Sequence, residues 1–290
     1  MDIELAQTIN SILASFCGLT LHCYILYKML LKHSSLSQYQ NLIVVQSAVG
    51  AVYAFVQLIA NQRQALSGEY LMSFTFLPYG PVTKTIMRFL MGSLYSLEQF
   101  LIMIFTIHRV LLLVREHWIK KFYIVFTPIV LAYSAVFGVA KASSMKQLEL
   151  AMQLIFVPSI LVISAVCYIR IKRFFRSNSG YTAKVKQMQA RFSTSVFLEG
   201  VIHGVLVLSV LFLVPLNILV AAVTNGDWRK VIGFSLIYVI TATLLFRWYS
   251  VAVGALMLWS ISGFLKQKES RPRNVSIMVF VSRRLKRNEI

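Results

Sequence analysis

Leu150–Ile169, LAMQLIFVPSILVISAVCYI, runs twenty residues without a charge, and Arg170–Arg176, RIKRFFR, then places four cations in seven positions. Twenty helical residues rise about 30 Å, the thickness of a bilayer's hydrocarbon core. No water is available there to satisfy backbone N–H and C=O groups, so a crossing segment must bond them internally, as a helix does. A barrel strand would alternate apolar and polar residues, and this stretch does not. The abrupt change from an uncharged block to a basic run marks a membrane boundary.

The pattern recurs along the chain. Spans are expected over about 9–31, 41–60, 84–107, 122–140, 150–169, 192–223 and 231–264, giving an all-α, seven-transmembrane helix bundle over 1–264 and a basic tail over 265–290. The last block is longer than one crossing needs and too short for two spans and a turn, so it reads as one long or tilted helix. The composition agrees: 58% of the 290 residues are hydrophobic and 13% charged, about half the charge of a soluble domain. The acidic start, MDIELAQT, carries no cleavage-like signal, so the first span is expected to act as an uncleaved anchor.

A net charge of +19 in a soluble protein would suggest nucleic acid. Here the cations lie between apolar blocks, so they report topology, and no nucleic-acid partner is expected. Assigned to alternate sides of seven spans, 21 Lys and Arg fall with the first, third and fifth loops and the tail, and seven with the others. That bias places the amino terminus outside and the carboxyl terminus in the cytoplasm. It also puts the glycosylation-like Asn274-Val-Ser276 inside, where it is expected to go unused. Cys17, Cys23 and Cys167 lie within apolar blocks. They suggest no extracellular disulfide, and no clustered ligands suggest a metal or another cofactor.

Seven spans, a short outside amino terminus and a basic third cytoplasmic loop resemble G-protein-coupled receptors. Ile107-His108-Arg109-Val110 resembles the acidic-Arg-aromatic signature at the end of the third span, and Pro158 and Pro215 stand where rhodopsin-like receptors often kink. The chain lacks an Asp in block two, any proline in block seven, and the usual extracellular cysteine pair. This combination most resembles the nematode serpentine chemoreceptors. The resemblance implies detection of a small external chemical, signalling through a heterotrimeric G protein, and residence in the plasma membrane, including sensory cilia.

Ionisable groups inside a span cost about 2.5–3.5 kcal/mol on insertion scales and usually face the bundle interior. Glu98, Glu199, His203 and Arg247 are such groups. Glu98 and Arg247 are expected at similar depth as a buried pair beneath a ligand cavity. Arg109 and Glu199 are expected to pair at rest and separate on activation, with Pro215 as a hinge. Glu199 and His203, four apart, share a helix face, a spacing that lacks a third metal ligand. Phe89, Tyr95, Phe212 and Tyr238 are candidates for an apolar pocket, although each also suits plain helix packing. Trp118 and Trp228 fall at expected membrane interfaces. Arg170, Lys172, Arg173, Arg176, Lys184 and Lys186 in the fifth loop are candidates for G-protein contact or for binding anionic lipid. The tail segment VSIMVFVSRRLKR suits a short element on the membrane surface.

A transporter would carry internal repeats and matched broken helices, and none is evident. A ligand-gated channel would need a pore shared between copies. An intramembrane enzyme is disfavoured, because H-E-x-x-H, G-x-S-x-G and paired intramembrane Asp residues are all missing.

Overall fold

The computed structural model describes residues 3–31, 38–60, 62–64, 70–72, 80–177 and 183–269. The helices are α1 (Ile3–Leu31), α2 (Gln38–Ala60), α3 (Pro81–Val114), α4 (Trp118–Ala142), α5 (Lys146–Ser177), α6 (Ala183–Leu211), α7 (Leu213–Val223), α8 (Trp228–Arg247) and α9 (Tyr249–Glu269). A short antiparallel hairpin, β1 (Gln62–Gln64) with β2 (Tyr70–Met72), stands between α2 and α3. Seven helical stretches are long and apolar enough to cross a membrane; α8 and α9 together supply the seventh. Apart from that hairpin, the described residues form an α-helical, seven-span bundle. Residues 265–269 of the expected tail continue α9, and the rest, 270–290, including Asn274, lies outside the described residues.

Helix α3 is the axis of the bundle, packing against α2, α4, α5 and α6. The ring closes where α8 and α9 return to α1. Large side chains on the outer faces, such as Ile155, Ile218, Ile232 and Ile237, are exposed. A bundle in lipid has no reason to hide them. The interior instead collects polar groups, including Gln46, Glu98, Gln99, Glu199 and His203, each buried.

Close helix crossings fall at small residues. A Cβ on Gly138 would overlap the Ser93 hydroxyl and stand 2.9 Å from the Phe89 backbone, so α3 and α4 meet at Gly92 and Gly138. A Cβ on Gly50 would lie 2.6 Å from the His22 ring, which wedges α1 against α2 and α9. In lipid, where apolar burial does not drive helices together, such close approach supplies the packing.

Two spans are interrupted. The sixth breaks at Phe212 into α6 and α7, with Pro215 in the first turn of α7. Proline has no N–H to offer the carbonyl of residue 211 and is tolerated in a first turn, where no donor is required. The seventh differs from the single helix expected: it breaks at Trp248, without a proline. The Trp248 N–H donates to Leu245 O, three residues back, at 3.0 Å, which leaves Leu244 O without its ordinary partner. Asn10 of α1 repairs the gap. Its Nδ2 donates to Leu244 O at 3.2 Å, and its Oδ1 accepts from the Trp248 indole at 2.9 Å. Between α7 and α8, Asn225 and Gly226 take positive φ of 52° and 79°. The Asp227 side chain then caps α8 by accepting from the Arg229 N–H.

Candidate ligand site and intracellular latch

Tyr95 and Glu98 occupy successive turns of α3. Around the Tyr95 ring, at centroid distances of 5.6–6.4 Å, stand Tyr53 of α2, Phe137 of α4, His203 of α6, Phe246 of α8 and Tyr249 of α9. Each helix contributes through a face turned inward by its polar or aromatic residues. The break at Trp248 sets Phe246 and Tyr249 on either side of the α8–α9 junction, where both reach Tyr95. Above this cluster, Lys141 of α4 holds its ammonium 5.9 Å from the Tyr95 ring centre and 3.6 Å from the Glu149 carboxylate.

Both Glu98 carboxyl oxygens, both His203 ring nitrogens and the hydroxyls of Tyr95 and Tyr249 have no hydrogen-bond partner among the described residues. Glu98 and His203 are both 0% exposed. Leaving a buried donor or acceptor unmade costs about 1–3 kcal/mol, more for a charged group. These six atoms make the cluster a candidate for contact with a bound molecule.

A second network lies one turn along α6. Glu199 accepts from Gln46 Nε2 of α2 at 3.0 Å and from Ser195 Oγ at 3.4 Å. Ser195 Oγ is also 2.9 Å from Leu256 O of α9. Glu199 thus joins α6 to α2, and Ser195 beside it, whose one proton serves either Leu256 O or the carboxylate, joins α6 to α9. Further along, Arg109 Nη2 donates to Gln189 Oε1 at 2.7 Å and Gln189 O at 3.3 Å, while its guanidinium lies 4.6 Å over the Phe192 ring. Arg109 is 1% exposed. Its neighbour His108 accepts from or donates to Tyr123 Oη at 3.1 Å.

These positions revise the pairings expected from sequence. Arg109 and Glu199 do not meet: the guanidinium goes to Gln189, ten residues nearer the start of α6, and Glu199 goes to Gln46. Glu98 is not hydrogen-bonded to Arg247. Arg247 is buried within electrostatic reach of Tyr53. Phe212 is 54% exposed on the outer surface, away from the Tyr95 cluster. Tyr238 donates its hydroxyl to Ser209 O, a link between α8 and α6. Pro215 is exposed, three residues past the helix break. Arg170, Lys172, Arg173 and Arg176 are exposed at the end of α5, with Lys172 5.7 Å from the Tyr168 ring. Lys186 is half-buried in α6, and the Lys184 side chain lies outside the described residues. No group of three or more His, Cys, Asp or Glu suited to a metal occurs among the described residues.

Sequence reasoning missed Gln46, Gln189, His22 and Tyr249. The amides were available as a signal, since a buried Gln in an apolar block seeks a partner as an acid does. Tyr249 was hidden by the assumption of one continuous seventh helix.

Seven apolar spans around an axial third helix define a seven-transmembrane bundle. The finer assignment comes from the family comparison: residues 3–149 match the model of the serpentine type 7TM GPCR chemoreceptor Str family, and the chain belongs to that family. The match covers α1–α4, and so Tyr95, Glu98 and Arg109. Among curated proteins none matches the chain.

Proposed function

We propose that the protein is a chemosensory receptor that binds a small external chemical among Tyr95, Glu98, His203 and Tyr249 and activates a heterotrimeric G protein at its opposite face. The observation that carries this reading is the set of fully buried, unpartnered polar atoms in the bundle of a chemoreceptor-family chain. The amino terminus is outside, by the bias of Lys and Arg towards the other set of loops. The protein then resides in the plasma membrane, and in a sensory neuron it would sit in the cilia.

Helix α6 joins the two ends. His203 belongs to the ligand cluster, Glu199 to the α2 link, and Gln189 to the Arg109 contact. At 1.5 Å per residue, these three stations span about 21 Å of one helix. A ligand that draws His203 inward displaces α6 as a body and strains both lower contacts, so binding shifts the resting equilibrium. Release of Gln189 frees Arg109 and opens the cytoplasmic end beside the basic end of α5. Arg170, Lys172, Arg173, Arg176, Lys184 and Lys186 then face the G protein and the anionic lipid around it.

The test combines topology with coupling in one cell line. Tags at the two termini should be reached from opposite sides of the membrane, amino terminus outside. A chemical library should yield compounds that raise G-protein activation only in cells carrying the protein. Termini on one side, or the absence of any ligand-dependent response at full surface expression, would overturn the proposal.

A further inference from the structure

The charge balance of the site names a class of ligand, given the reading of the Tyr95 cluster as the ligand site. Glu98 is 0% exposed, and neither of its oxygens has a hydrogen-bond partner among the described residues. The charge that acts on it is that of Glu199, which is also acidic. No hydrogen bond joins it to a described cation. Lys141 is engaged by Glu149 at the rim. A buried carboxylate is tolerated when paired and is costly when alone.

The surroundings suit a cation as well. Tyr53, Tyr95 and Tyr249 all lie within the electrostatic reach of Glu98. Tyrosine rings attract a desolvated positive charge through their π faces. Glu199 is already satisfied by Gln46 and Ser195, so it adds negative potential without needing the ligand as a partner. The unpartnered Tyr95 and Tyr249 hydroxyls and the one His203 nitrogen that carries no hydrogen remain to accept from an ammonium group's other hydrogens. A bare metal ion would require several converging ligands, and no such group occurs among the described residues.

We propose that the ligand is an organic cation, a protonated amine held with its charge on the Glu98 carboxylate and its carbon skeleton against the Tyr95 and Tyr249 rings.

The experiment measures binding apart from signalling. The protein in lipid nanodiscs is melted with isoamylamine, phenethylamine and tetramethylammonium, and with isoamyl alcohol and phenethyl alcohol as neutral counterparts. Sodium chloride is a further arm. Amines should raise the melting temperature at concentrations where the alcohols do nothing. Glu98→Gln should weaken amine binding roughly 100-fold, the loss expected when one partner of a buried charge pair is removed. Glu98→Asp should retain a measurable part. Stabilisation by alcohols equal to that by amines, by sodium alone, or by no compound would overturn the proposal. Should Glu98→Gln fail to fold, the amine-against-alcohol comparison in the unaltered protein decides alone. Amines that bind without activating a G protein would defeat the receptor reading and leave this inference standing. Activation by neutral compounds only would do the reverse.

Discussion

The bond between Gln46 and Glu199 offers a direct handle on the resting state. Gln46→Leu removes the donor at 3.0 Å and leaves the carboxylate with only Ser195, at 3.4 Å. Hydrogen bonds to charged groups contribute about 1.5–3 kcal/mol in proteins. Within membranes, measured pairs run lower, averaging about 0.6 and reaching about 1.7 kcal/mol. A Glu199 carboxylate that is 1% exposed belongs near the top of that membrane range. If the bond exists only while α6 is docked on α2, its loss shifts the equilibrium by about 1.4 kcal/mol, or tenfold. A receptor active about 1% of the time would become active about 9% of the time.

Basal nucleotide exchange on a purified G protein, with receptor at matched surface density, reads that change. Glu199→Leu should act in the same direction, since it removes the acceptor and strands the Gln46 amide. The double substitution supplies the decisive comparison. Stability should fall in each single variant and recover in the double one, because replacing both partners leaves no buried polar group unpaired. Basal exchange in the double variant should match that of one single variant rather than the sum. Unchanged basal exchange in Gln46→Leu, or additive effects in the cycle, would refute the idea that this bond restrains α6.

Two further predictions concern the frame that holds the site. Asn10→Leu strands both Leu244 O and the Trp248 indole N–H at the α8–α9 junction; a melting curve should show a loss of about 1–3 kcal/mol, and a wild-type melting temperature would mean that the junction needs no clamp. Gly138→Ala drives a Cβ into Ser93 and the Phe89 backbone, so it should destabilise by about 1–3 kcal/mol, whereas Gly233→Ala, with nothing within 4 Å, should be neutral; equal melting temperatures for the two would count against the tight α3–α4 crossing.

The architecture was legible because lipid imposes one dominant rule: an uncharged block of twenty residues must be a helix, and the charges between blocks set the count of crossings. Within the bundle that rule is silent, and the choice of partners depends on rotation and register. Arg109 and Glu199 were matched by charge and approximate depth, yet a shift along α6 of ten residues, about 15 Å, separates the chosen partner from the observed one. Gln189 wins because its amide oxygen and its own backbone carbonyl converge on one guanidinium nitrogen. Tyr249 was beyond reach for a different reason. Its inward position follows from the break at Trp248, and that break is stabilised by Asn10, 238 positions earlier in the chain. Local sequence around Trp248 contains no proline or glycine to announce it. What was legible was the chemistry in excess: Glu98 in the middle of an apolar block demanded a partner, and the structure supplies none among the described residues. An unmet demand of that kind, fully buried and one turn from the aromatic cluster around Tyr95, is better evidence for a ligand than a satisfied pair would have been, because a satisfied pair already accounts for its own burial.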